Sequence, residues 1–390
     1  MSLAALTGAR VFDGADWHDD TAVLIAEGHV AGLVPAGDLP QGAARHALEG
    51  GTLAPGFVDL QVNGGAGRMI AAGMDVAALR AIAAAHARLG ATTILPTLIT
   101  DAPQATRAVI DTVADALARG VPGLAGLHLE GPHLDPRRHG AHDAALIRPM
   151  TGDDLALYLQ AAARLPVLKI TLAPEAATAD QIGALARAGV IVSLGHSGCT
   201  HAQARQATDA GARLVTHLFN AMSQLGSREP GLVGAALADG RLSAGLIADL
   251  VHVHPDTIRA ALAAKTAPGQ VFLVSDAMAV AGTDLDDFRL GGRRILRRAG
   301  QLTLEDGTLA GADLDLAKAV RNLVQVVGVP PGPALAMATA IPGGLVGTGG
   351  RIVPGGTADL VHLDGDLRVT RVWQAGAMVS GVAQPGKDDR

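Results

Sequence analysis

A chain of 390 residues has room for an α/β barrel of about 250 residues together with appended structure. A hydrophobic fraction of 49% against 17% charged residues allows a large buried core, and with aromatics at 2% that core must be built from Ala, Leu, Val and Ile. The formal net charge of −6 argues against non-specific nucleic-acid binding, and the single cysteine, Cys199, excludes an internal disulfide and any Cys-rich zinc module.

No run approaches the roughly 20 apolar residues of a membrane helix, and Met1 to Val11 lacks the basic start and apolar centre of a signal peptide. A cytoplasmic protein without membrane contact is therefore expected. Ala4 to Phe12 reads as a strand stopped by the turn signal Asp13-Gly14. Thr21–Ala26 and His29–Val34 follow, broken at Glu27-Gly28. Asp359–Leu363 and Leu367–Val372, broken at Asp364-Gly365, repeat the pattern at the far end. One small β domain assembled from both ends of the chain is expected.

From Gly56 the pattern alternates between strand and helix. Candidate strands are Gly56–Gln61, Thr92–Thr97, Gly123–Glu130, Val167–Leu172, Val190–His196, Leu214–His217, Leu242–Asp249 and Val271–Asp276. Ala-rich amphipathic stretches lie between them, among them Asp75–Leu89, Ala102–Ala118, Gly152–Leu165 and Ala179–Ala188. Eight such units suit a closed (β/α)8 barrel. An open doubly wound sheet would need a glycine fingerprint leading into a helix after its first strand, and Gln61 to Gly67 does not supply one. Gly343-Gly344 and Gly347 to Gly356 lack the Lys-Ser/Thr of a phosphate loop and read as a turn-rich passage out of the barrel.

Four apolar runs end on Glu130, His196, His217 and Asp276. In a parallel barrel such strand ends share one rim, where catalytic groups collect. One carboxylate and two imidazoles match the ligand set of a catalytic metal that keeps a position open for water. Asp276 has two readings, a cap for the following turn or a base that takes a proton from that water, and beside the other three the base is preferred. Strand 1 carries Gln61-Val62-Asn63 in place of a His-x-His pair, and Lys169 lies well before the end of its strand, so a single metal is expected. His18, His29, His46, His86 and His362 read as structural or exposed. His142, beside Arg137, Arg138 and His139, gives one rim a basic character that suits an anionic ligand.

Taken together, these segments resemble the N-acetylglucosamine-6-phosphate deacetylase family of the amidohydrolase superfamily. The resemblance rests on Pro55 to Gly64, Leu95 to Thr100, His128-Leu129-Glu130-Gly131-Pro132 and Thr171 to Glu175. It continues through Gly195-His196-Ser197, Thr216 to Met222, Arg228-Glu229-Pro230-Gly231 and Ser275-Asp276-Ala277. It implies a (β/α)8 TIM-like barrel with a small β-sandwich. The units would be 1–54 for one part of the sandwich, 55–343 for the metal-dependent hydrolase barrel and 344–390 for the rest of the sandwich and a C-terminal tail.

The activity implied is release of acetate from N-acetylglucosamine 6-phosphate, with one divalent ion per subunit, Zn2+ above others. By motif match Glu130, His196 and His217 hold the metal, Asp276 is the acid/base and His142 polarises the amide carbonyl. Ala141, Asn220, Ala221, Arg228, His252, Leu309, Ala310, Gly311 and Gln61 would contact the sugar phosphate. A homodimer is implied, with Arg228, and in one variant His252, reaching into the neighbour's site. His133, Asp313 and Asp315 depart from the family pattern and are expected near the sugar. The alternatives are an amidohydrolase acting on a related N-acetyl-hexosamine phosphate or a cyclic amide, and a catalytically silent sugar-phosphate binder.

Overall fold

The structure is a computed structural model and describes residues 3–382. Its centre is a sheet of eight parallel strands paired in sequence order. These are β1 (Phe57–Val62), β2 (Ala91–Ile99), β3 (Leu127–Glu130), β4 (Leu168–Leu172), β5 (Ile191–Leu194), β6 (Leu214–Val215), β7 (Ser243–Leu246) and β8 (Val271–Leu273). The ring closes just beyond β8, where the Asp276 amide donates to the Gln61 carbonyl at 3.1 Å and Val62 bridges Ala277 in parallel. The expected (β/α)8 barrel is therefore present.

The helices that flank it include α1 (Val76–Arg88), α2 (Pro103–Ala118), α3 (Gly152–Ala162), α4 (Ala179–Arg187), α5 (His201–Ala210), α6 (Gly231–Ala238), α7 (Pro255–Ala264) and α8 (Leu316–Asn322). Thr151, Thr178 and Thr200 start α3, α4 and α5 through capping boxes with Asp154, Gln181 and Gln203. Each box satisfies backbone amides that the first helical turn leaves without partners. The helices press small apolar faces onto the strands, burying Leu79, Ile82 and Val109 against Phe57, Leu60 and Ile94. Burying each large side chain contributes about 1.5–3 kcal/mol.

The barrel axis itself is polar. His128 Nε2 lies 2.7 Å from Thr171 Oγ1, which lies 2.7 Å from Thr216 Oγ1, itself 2.6 Å from Ser193 Oγ. His128 is two positions before Glu130 on β3, so both point to the same face of the strand. Burial pushes the Lys169 ammonium down to about 8, against the pull of the Glu130, Asp59 and Asp276 carboxylates.

The two chain ends build two further sheets. Leu360–Leu363 runs antiparallel to Thr52–Pro55, which ties the C-terminal strands to the N-terminal ones. Leu6, Val23 and Ile25 of one sheet pack with Val11, Leu53, Leu360 and Trp373 of the other. Thr21–Ala26 and His29–Pro35 form the hairpin read from Glu27-Gly28, whose φ values of 51 and 80 match a two-residue turn with both central residues left-handed.

Three features differ from the sequence reading. Strands β3 to β8 are shorter than their apolar runs, so His196, His217, Asp249 and Asp276 stand just past the last ladder residues. Gly343-Gly344 lies inside a helix, Ala340–Val346, where a turn-rich passage was expected. An antiparallel four-stranded insert between β8 and α8 was not anticipated: β9 (Asp287–Leu290), β10 (Arg293–Arg298), β11 (Gln301–Thr303) and β12 (Leu309–Ala312). Its signals were legible, with Phe288 and Leu290 in alternation and turns at Gly291-Gly292 and Asp306-Gly307.

Candidate active site at the barrel mouth

Left-handed backbone aims three of the four rim residues inward. His196, His217 and Asp276 have φ of 46, 32 and 50, values that cost a residue with a Cβ about 1–2 kcal/mol. Such strain persists only where the surroundings fix it and is concentrated at functional sites. Glu130 needs no such turn, being the last residue of β3.

The four meet. His217 Nε2 lies 3.1 Å from Glu130 Oε1 and 3.0 Å from His196 Nε2, and His196 Nε2 lies 3.4 Å from Glu130 Oε1. Asp276 joins through amides: Gln61 Nε2 donates to Glu130 Oε1 at 3.1 Å and to Asp276 Oδ1 at 3.0 Å, and Asn63 Nδ2 donates to Asp276 Oδ1 at 2.7 Å. All four are at most 9% exposed.

The hydrogen-bond partners assign the tautomers. His196 Nδ1 faces the Arg138 carbonyl at 2.8 Å and must donate to it, so Nε2 turns a lone pair toward the Glu130 carboxylate. Two acceptors at 3.4 Å need a positive centre between them. His142 is arranged the opposite way. The Thr100 amide donates to its Nδ1 at 3.3 Å, so Nε2 carries the hydrogen. Burial and then the neighbouring His196 push the His142 imidazole down to about 3, leaving it neutral.

Glu130, His142 and His196 each offer a ligand atom within 4.8 Å of the others. The tautomers select differently, because a donating Nε2–H cannot ligate a cation. His217 fits better, being 3.1 Å from Glu130 where His142 is 3.9 Å away. Burial pushes the Glu130 carboxyl up, but the His196 and His217 imidazoles set against it outweigh that and hold the carboxyl well below its usual range. Burial depresses His217, yet Glu130 raises it overall. The field that holds a proton there also attracts a cation. Burial and the Glu130 charge both raise Asp276. Gln61 Oε1 and Asn63 Oδ1 are buried without partners beside this cluster, as expected of groups arranged around a ligand. The donor set Glu130, His196 and His217 fits a divalent cation.

These residues line a cavity of about 240 Å³. Its wall includes Ala141, His142, Asn220, Ala221, His252, Leu309 and Gly311, all anticipated from the sequence, together with Asn63, Ile99, Ile247, Met278, Leu290 and Thr308, which were not. His252 is held there by Asp249, whose Oδ2 lies 2.6 Å from Nδ1. Three wider grooves, of about 420, 660 and 580 Å³, lie on the helical exterior and hold no histidine.

Several anticipated residues lie elsewhere. Gln61 is fully buried behind the carboxylates, and Ala310 is fully buried in the apolar core of the insert. Arg228 is exposed in its loop and does not line its own chain's cavity. His133 is also off the wall, packed with Nε2 2.9 Å from Tyr158 Oη. Asp313 pairs with Arg297 at 2.8 Å, and Asp315 caps α8, so neither reaches the cavity. Of the histidines read as structural, His86 is buried with Nε2 2.8 Å from the Gly64 carbonyl.

A family model described as the amidohydrolase family matches residues 52–387, and one described as the NagA composite domain matches residues 4–53. An N-acetylgalactosamine-6-phosphate deacetylase from Shewanella sp. (strain ANA-3) is 39% identical over 95% of this chain and 95% of its own. The crystal structure of an N-acetylglucosamine-6-phosphate deacetylase from Pasteurella multocida superposes with a TM-score of 0.92 at 32% identity, covering 96% of this chain and 99% of that one. A mutant of the Mycobacterium smegmatis N-acetyl-D-glucosamine-6-phosphate deacetylase, in complex with that sugar phosphate, superposes with a TM-score of 0.88 at 33% identity, over 97% of this chain and 100% of that one. The chain belongs to the amidohydrolase family, in the branch that these amino-sugar-phosphate deacetylases form.

Proposed function

We propose that the protein hydrolyses the acetamide of N-acetylglucosamine 6-phosphate to acetate and glucosamine 6-phosphate. The observation that carries this is the meeting of Glu130, His196 and His217 within 3.4 Å, with a separate carboxylate, Asp276, held beside them by amide donors. Glu130, His196 and His217 would hold one divalent ion, taken as zinc, which when bound supplies a Lewis acid and makes water a readily deprotonated nucleophile. Asp276 accepts the proton of the attacking water and returns it to the nitrogen as the C–N bond breaks. Asn63 and Gln61 keep Oδ1 of Asp276 occupied, which leaves Oδ2 to carry that proton. The neutral His142 points its Nε2–H at the charge developing on the carbonyl oxygen.

His252 and the Asn220-Ala221 backbone take the sugar phosphate, with Leu309 and Gly311 against the sugar. We place Arg228 in the neighbouring copy's site within a homodimer, which accounts for its exposure and its distance from its own cavity. Among the described residues no helix is long and apolar enough to cross a membrane.

A second reading is the galactosamine epimer, favoured by the 39% identity to the Shewanella enzyme. Acetate release is measured from both 6-phosphates, from unphosphorylated N-acetyl sugars and from a cyclic amide, with metal quantified in the same preparation. Turnover confined to the phosphorylated amino sugars, and lost on chelation, is the expected result. Tight sugar-phosphate binding without acetate release would instead identify a silent binder.

A further inference from the structure

We propose that Arg293, on the inserted sheet, is a positioning residue for His142, fixing the peptide that leads into it. This rests on the role given to His142 under the proposed function. The Arg293 guanidinium donates through Nη2 to the Ala141 carbonyl, across 152 positions of sequence. The same Ala141–His142 peptide unit donates its amide to the His139 carbonyl at 3.0 Å. Both polar ends of one peptide plane are therefore held, which sets the direction in which His142 leaves the backbone. Thr100 fixes the far side of the ring at Nδ1. Nε2 is left as the one free polar atom of His142, turned toward Glu130.

Three other arginines of the hairpin bond differently. Arg289 donates to Gly292, Arg294 pairs with Asp287, and Arg297 pairs with Asp313 and donates to Thr283. Only Arg293 among these reaches the His142 loop. Apolar contact supports the tether, since Ala141 packs against the cluster that contains Leu290 and Ile295. Leu290 also lines the cavity, so the insert forms one wall of the site as well as holding its polarising group. The loop, already held at Thr100 and His196, is thereby also attached to the inserted sheet, which is how a donor is kept at the position where charge develops.

Two measurements on the full-length protein test this. Amide hydrogen exchange is followed over the peptide containing residues 139–146 in wild type, Arg293→Ala, Arg293→Lys and the neighbouring Arg294→Ala. Faster exchange is expected in Arg293→Ala, with partial recovery in Arg293→Lys and none of the change in Arg294→Ala. In acetate release, Arg293→Ala should lower kcat by about tenfold to a hundredfold with KM little changed. It should add no further loss to His142→Ala, because both act through one donor. Unchanged exchange, unchanged kcat, or losses that add in the double variant would overturn the proposal. Should Arg293→Ala fail to fold, Arg293→Lys carries the same comparison. A wild type that releases no acetate would remove the function reading, while the exchange experiment still decides whether the tether exists.

Discussion

Asn63 donates its side-chain amide to Asp276 at 2.7 Å, and the bond joins the end of the first barrel strand to the turn after the last. It fixes a carboxylate whose pKa is raised by burial and by the Glu130 charge. Asp276→Asn keeps the shape and removes the carboxylate proposed as the base. This variant should bind metal as wild type does and lose about 10²–10⁴ in kcat. Metal content and turnover measured on one sample check it, and near-normal turnover would remove Asp276 from its role.

His142 and His217 should separate cleanly. His217→Ala takes away a ligand atom 3.1 Å from Glu130, so metal content should fall along with activity. His142→Ala takes away a donor fixed by Thr100, so metal content should hold while kcat drops by about 10²–10³. If metal is lost from the His142 variant and kept in the His217 variant, the tautomer assignment is wrong.

Gly311 adopts φ +68 where β12 passes the site, and a Cβ there would stand 2.4 Å from Met278 Cγ and 2.9 Å from the Asp276 carbonyl. Gly311→Ala must therefore push on the segment that carries Asp276. We expect kcat to fall with metal content unchanged, together with a stability loss of about 1–2 kcal/mol from the left-handed backbone. Kinetics that match wild type would show that the Asp276 turn does not depend on this approach.

Away from the site, Arg148 binds both oxygens of Asp154, at 2.5 and 2.7 Å. Burial raises this carboxyl, but the bonds from Arg148 and Thr151 outweigh it and hold it well below the usual carboxylate range. Because the folded value is depressed, its contribution is complete above the unfolded value of about 3.9 and fades as pH falls through the folded one. Asp154→Asn should cost about 1–3 kcal/mol near pH 7. The Tm gap to wild type should narrow toward pH 3, and a gap that does not change with pH would show that the charge of Asp154 contributes nothing.

The barrel was legible because its strands are covered on both faces. Such strands read as unbroken apolar runs, and each run here ends at Gly, Pro or a polar residue. The inserted sheet was not read, although Gly291-Gly292 and Asp306-Gly307 mark its turns, because short half-exposed strands with several arginines give a weak alternation. His133 and Asp313 are ambiguous in sequence for a different reason: a polar residue after a strand can face the cavity or pack away from it, and both pack away.

The sequence by itself determined which residue types end the apolar runs, and so named Glu130, His196, His217 and Asp276 as rim groups. Only the tertiary structure decided that they meet, since Gln61 and Asp276, 215 positions apart, share a hydrogen bond when the ring closes. It also decided which backbone groups face the imidazoles of His196 and His142, and so the tautomers on which the proposed ligand and donor roles rest. That choice belongs to the Arg138 carbonyl and the Thr100 amide, backbone groups whose presence no side-chain pattern records.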